Sequence, residues 1–166
     1  MRYFKDSNNE IFGFEDDFLE IPPHLTPLSE EEVNAILSPS PEEALEIAKA
    51  TKKVEMNAKR DEAIEQDIEF NGEIFTNRKS DRDIISSYLS LSLPENFAWI
   101  AKNNTPVPMT KKNLTALASL MFSSLNENML KARVLKNRVD ASSTIEEVEA
   151  IVWDTIEEVD AIAWDY

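Results

Sequence analysis

Side chains able to do chemistry are sparse in this sequence. Its one histidine, His24, stands between Pro23 and Leu25 in a proline-rich stretch. A serine nucleophile needs a sharp turn of the Gly-x-Ser-x-Gly kind to present its hydroxyl to such a histidine, and no serine here has one. Gly13 and Gly72 are too few for a phosphate-cradling loop or a dinucleotide fingerprint, and both read better as hairpin residues. The chain has no cysteine, which removes disulfides and thiolate metal sites. Asp6, Asn8 and Glu10 echo the opening of a calcium loop, but its glycine and distal glutamate are missing. Glu146, Glu147, Glu149 and their later copies have no histidine among them and read as a solvated acidic face. Two carboxylates would suffice for a glycosidase, yet a short helical chain is poorly suited to building the cleft. The expectation is therefore no catalytic residue, no metal and no cofactor, and hence not an enzyme.

Charge narrows the partners. The formal net charge is −15 over 166 residues. Nucleic-acid affinity depends on Lys and Arg displacing counterions, so a polyanion is repelled overall, and an anionic membrane surface likewise. No apolar run approaches the roughly 18 residues of a spanning helix, and the first residues lack the apolar core of a secretory signal. This reads as a soluble, acidic protein that binds another protein. The charge is uneven: residues 1–40 carry −7, residues 110–140 carry +4 and residues 141–166 carry −8. The positive segment and the acidic tail are expected to pair, within the chain or between subunits.

The elements that would position these groups follow from spacing. Tyr3-Phe4 and Ile11-Phe12 flank a polar turn and predict an N-terminal hairpin over residues 1–17. Four prolines between residues 18 and 40 predict a connector holding one short helix, with Ser29 and Glu32 as its capping box. Ser40-Pro41-Glu42-Glu43 starts a helix that runs to about Gln66. Its apolar residues Leu45, Ala48, Val54, Ala58 and Ile64 are sparse, which favours a solvated spacer over a coiled contact with another subunit.

Ile68 to Phe75 alternate around Asn71-Gly72, a strong hairpin signal. A helix capped by Ser80 or Asp81 follows and ends before Pro94. Phe97 to Ala101 read as a strand, and Pro106 and Pro108 put its return at a sheet edge. Thr110 caps a long core helix, about 111–139, with Leu114, Leu117, Met121, Leu125, Ala132, Leu135 and Val139 in its stripe and Leu120, Phe122, Leu130 and Val134 widening it. The fold class is α+β: an N-terminal hairpin module (1–17), a proline-rich connector and helix (18–58), a helix-rich C-terminal domain with short hairpins (59–154) and an acidic tail (155–166).

That tail is a duplication. Residues 144–154 and 155–165 agree at nine of eleven positions. Eleven residues make close to three helical turns, so one continuous helix would stack Trp153 and Trp164 in a ridge; each copy also opens with Thr-x-x-Glu, which allows two shorter helices. One helix is the favoured reading. Aromatics with a polar rim are common interface anchors, which selects Tyr3, Phe4, Phe12, Phe14, Trp153 and Trp164 as candidate partner-binding residues. Core packing competes as their role, most strongly for Tyr3, Phe4 and Trp153. Trp164 is the sharper candidate, because the copied segment is not expected to fit the same core groove. Deleting residues 155–166 is accordingly expected to leave the fold intact.

Several of these segments carry a resemblance. Met1 to Asp17, and Leu25 to Pro39 with Ser29-Glu30-Glu31-Glu32, resemble the opening and connector of caudovirus tail-fibre assembly proteins. Lys59-Arg60-Asp61, Phe70-Asn71-Gly72-x-x-Phe75, Asp81-Arg82, Trp99, Thr110 and Thr144 to Ile151 together resemble a C-terminal domain of unknown function often attached to such phage proteins, whose pattern ends near the first tail copy. The resemblance implies a non-catalytic chaperone in the host cytoplasm that binds a phage tail-fibre protein, at its C-terminal receptor-binding region, while it folds and trimerises. A homo-oligomer is the second partnership it leaves open. The alternative is a structural component, an adaptor or decoration protein, retained in the virion tail.

Overall fold

The computed structural model describes residues 1–17 and 20–155. The fold is α+β, and the chain divides into two compact units, Met1–Ala44 and Leu45 onward. All three strand pairs expected from the sequence are present.

In the first unit, β1 (Arg2–Lys5) and β2 (Ile11–Phe14) pair antiparallel with Phe4 opposite Phe12 and Tyr3 opposite Gly13. The turn between them is tied by Asp6, whose carboxylate accepts the backbone N–H of Asn8 at 2.8 Å and of Glu10 at 2.9 Å. Asn9, with φ of 61°, supplies the left-handed residue. The supposed connector is more ordered than its prolines suggest. Thr26–Pro27 forms β3, which pairs with the free edge of β1 and makes a sheet of order β2-β1-β3. Pro27 is tolerated because a terminal edge position requires no N–H. Leu25, just before β3, is buried with Phe4 among the unit's apolar residues. α1 (Glu30–Leu37) starts from the expected box: Ser29 Oγ accepts Glu32 N–H at 3.2 Å, and Glu32 accepts Ser29 N–H at 2.9 Å.

In the second unit the two core clusters of the described residues are built on α4 (Lys111–Ala141), capped by Thr110 as expected. Its N-terminal half buries Leu114, Leu117, Ala118 and Met121 against Phe75, Ile85, Ala101 and Met109. These come from the hairpin β4–β5 (Ile68–Phe70, Glu73–Phe75), from α3 (Lys79–Leu89) and from the region of β6–β7 (Ala98–Ile100, Pro106–Pro108). Asn71 and Gly72 have φ of 53° and 81°, the pair of positive values that a two-residue type I′ hairpin demands. α3 begins at Lys79, a little before the expected cap, and Asp81 lies inside its first turn, where it accepts the Arg78 N–H at 3.0 Å. Leu120 and Phe122 are exposed and do not widen the core stripe of α4.

The C-terminal half of α4 builds a second cluster with a helix read from the sequence as a spacer. α2 (Pro41–Ile64) buries Met56 completely against Leu135, Val139, Val148 and Ile151, with Leu45 and Ala48 alongside. α2 is thus no solvated spacer: its central core residue is Met56, which the sparse apolar set of Leu45, Ala48, Val54, Ala58 and Ile64 leaves out. Val54 and Ala58 are exposed, while the lysines at 49 and 52 are mostly covered, with 13% and 14% of their side chains accessible. Their aliphatic stems complete a stripe that hydropathy cannot see. Lys53 pairs with Asp140 at 2.6 Å, and Lys136 donates to Asn57 Oδ1 at 3.0 Å.

The end of α2 is sealed by a buried polar group. Asn77 Nδ2 donates to the Ile64 carbonyl at 2.9 Å; Arg82 Nη1 donates to the same carbonyl at 3.3 Å, to Asn77 Oδ1 at 3.2 Å and to the Asn77 carbonyl. The last-turn carbonyls of a helix need donors, and a cation is favoured there.

The continuous tail helix is not found. α5 (Ile145–Glu149) stops with Ala150 as its cap, and Trp153–Thr155 form a 3-10 turn. Continued as a helix, Trp153 would lie about 140° around the axis from buried Val148 and face away from the core. Breaking the helix lets Trp153 fold back onto the second cluster.

Candidate protein-binding surfaces

The titratable groups give no sign of a catalytic centre among the described residues. Four carboxylates are held below their ordinary range, and each has a structural cause. Asp6 is lowered chiefly by the backbone N–H of Glu10, Glu43 by that of Ser40, and Asp140 by its hydrogen bond to Lys53. Glu32 is lowered to about 2, first by the Ser29 N–H and then by Lys5, which pairs with it at 2.9 Å. All four belong to surface caps, turns or ion pairs, with Asp6 half-buried and the others exposed. His24 is exposed in a turn, and no group of three or more metal-ligating side chains occurs among the described residues.

The candidate aromatics divide by face. Alternation along β1 and β2 puts Phe4, Phe12 and Phe14 on one side, with Phe4 and Phe14 edge-on at 5.6 Å. Phe4 is 8% exposed and serves as core; Phe12 and Phe14 are half-buried. Tyr3 lies on the other face, its ring 3.4 Å from where a Gly13 Cβ would stand. Trp153 is half-buried against the second cluster, with Lys131 Nζ 5.1 Å from its ring centroid. The positive helix thus meets the tail at this ring, and among the described residues no ion pair joins segment 110–140 to Glu146, Glu147, Glu149 or Asp154. Trp164 lies outside the described residues.

A surface that the sequence reading did not single out lies beside β6. Phe97 O accepts the Met109 N–H at 3.0 Å, and Ala101 N–H donates to Thr105 O at 2.9 Å. These bonds, with the Trp99–Val107 pairing, turn the odd-numbered residues toward β7. Antiparallel alternation then directs the N–H and C=O groups of Ala98 and Ile100 to the other edge. Pro106 and Pro108 face those positions, so their missing N–H groups leave the ladder intact.

On the outer edge, Lys102 N–H bonds Ile74 O of the β4–β5 hairpin at 2.7 Å. No ladder continues that contact, and β5 and β6 belong to separate sheets. Beside β6 is an open groove of about 450 Å³ lined by Thr76, Arg78, Asp81, Tyr88 and residues 97–102. Its aromatic wall is tight: the Tyr88 ring centroid lies 4.9 Å from Phe97 and 6.2 Å from Trp99. Phe97-x-Trp99 on a strand edged by Pro-x-Pro was the available signal. What was missing was the placement of Tyr88 from α3 beside them.

Residues 47–163 match the family described as Domain of unknown function (DUF4376), so the chain belongs to that family. The match begins ahead of Lys59 and runs into the second tail copy, where the sequence reading had the pattern end near the first. No curated protein and no solved structure matches the chain. No helix among the described residues is long and apolar enough to cross a membrane.

Proposed function

We propose that this chain is a non-catalytic assembly chaperone, acting in the host cytoplasm, that binds a phage tail-fibre polypeptide while it folds and trimerises. The observation that carries the reading is the open edge of β6. Outward backbone groups of Ala98 and Ile100 beside the Tyr88–Phe97–Trp99 wall suit an extended segment added as a further strand. Trimeric fibres pass through states with unpaired strand edges, which aggregate unless covered. The resemblance of residues 1–17 and 25–39 to tail-fibre assembly proteins supplies the partner class. Nucleic acid and membrane surfaces are disfavoured by the net charge of −15.

Co-expression with its cognate tail-fibre protein tests the reading: soluble fibre trimer should rise. Ala98→Pro removes one outward N–H without touching the β6–β7 ladder, and should abolish the gain while the fold persists. An unchanged soluble yield with the wild-type chain would sink the proposal. Stoichiometric copies of the chain in purified virions would instead favour the structural tail component.

A further inference from the structure

The tail duplication acquires a meaning once the place of its first copy is known. Val148 and Ile151 are 1% and 9% exposed in the groove between α2 and the C-terminal half of α4, against Met56, Leu135 and Val139. Thr144 caps the segment by accepting the Glu147 N–H at 3.2 Å, and Glu147 in turn accepts the Ser143 N–H at 2.7 Å. Trp153 closes the end against Lys131.

The second copy repeats every one of these contact residues as Thr155, Glu158, Val159, Ile162 and Trp164. The copies differ at two positions, Glu149 against Asp160 and Val152 against Ala163. Both differences fall where the first copy is exposed. A duplicated segment free to drift would show differences on either face; here the groove-facing set is intact.

We propose that the α2–α4 groove is a binding site for the Thr-Ile-Glu-Glu-Val-x-Ala-Ile-x-Trp-Asp segment, and that the second copy of the same chain is its alternative occupant. One groove faces two ligands in each chain, so one copy is always in surplus. Tether length decides between them. Two residues, Ser142 and Ser143, join α4 to the first copy, whereas thirteen residues, 142–154, precede the second. Loop-closure entropy scaling as three-halves of the logarithm of loop length favours the first copy on the order of 15-fold. Any change that weakens the first copy by more than this hands the groove to the second, and the eleven residues of the first copy are released as a loop.

The test uses Val148→Ala with Ile151→Ala, which strips the first copy's anchors and leaves its helix formers. In the full chain the second copy should take over, so the folding equilibrium constant falls by about 15-fold, the tether ratio. In the same variant truncated after Asp154, loss of both anchors should lower it at least about 100-fold. Truncation alone, and Val159→Ala with Ile162→Ala alone, should leave stability unchanged. Trp153→Phe and Trp164→Phe versions should show the signal of the groove-packed, half-buried tryptophan passing from residue 153 to residue 164 in the anchor variant. Equal destabilisation with and without residues 155–166 would overturn the proposal. So would rescue that grows with protein concentration, since the occupant would then be the tail of another chain.

Discussion

Arg82→Met is the substitution that asks most of the fold as described. The side chain is 7% exposed and has no carboxylate partner among the described residues; its Nη1 donates instead to the Ile64 carbonyl, to the Asn77 carbonyl and to Asn77 Oδ1. Methionine keeps most of the apolar stem, so packing loss is small. Ile64 O retains Asn77 Nδ2 as a donor at 2.9 Å, while both Asn77 oxygens lose the guanidinium. Hydrogen bonds from a charged donor contribute about 1.5–3 kcal/mol each on a net basis. Relief of guanidinium desolvation offsets part of this, leaving an expected loss of about 3 kcal/mol.

For a chain of this size that corresponds to a fall in Tm of roughly 6–12 °C. Arg82→Lys should land between, because an ammonium is a point donor without the planar fork. All three tryptophans lie beyond residue 44, so urea unfolding followed by tryptophan fluorescence reports the second unit. A midpoint for Arg82→Met within error of wild type, at unchanged m-value, would refute the reasoning. It would mean that desolvating the guanidinium costs as much as its three contacts return.

Met56→Ala should destabilise the second unit by about 2–5 kcal/mol, since a fully buried methionine leaves a cavity where α2 meets α4; the same fluorescence-detected unfolding measures it, and a surface-like loss would restore the spacer reading of α2. Gly72→Ala should cost about 1 kcal/mol through backbone strain alone, because φ is 81° and nothing stands within 4 Å of the added methyl. Glu32 should titrate near 2 by carboxylate NMR, against an ordinary value of 4.5. A depressed folded pKa stabilises the folded state fully above the ordinary value, and the contribution fades as pH falls from 4.5 through about 2. The tie of α1 to β1 through Lys5 should loosen in that window, and Lys5→Met should move the Glu32 titration upward.

Much of the architecture was legible because local signals have local causes. Asn71-Gly72 demands positive φ at two successive residues, Ser29, Ser40 and Thr110 offer side-chain acceptors to orphan helix N–H groups, and the stripe from Leu114 to Val139 repeats at helical spacing. The capping residues and the hairpin turn needed nothing distant to be right. Duplication of the tail was likewise plain from residue identity alone.

Tertiary structure decided the rest, wherever a residue's role depends on what faces it. Lysine stems could be counted as core only once α4 lay beneath α2, and Pro27 became a strand residue only beside β1. Tyr88 joined Phe97 and Trp99 through the packing of α3, not through spacing. The tail helix ends after Glu149, and the turn that follows brings Trp153 against the second cluster, a face that a continued helix would not have given it. Sequence alone thus determined most helices and hairpin turns, since dihedral preference and capping chemistry are carried by the chain itself. Which faces are buried, and which strand edge stays open, are properties of pairs of elements, and those the fold had to settle.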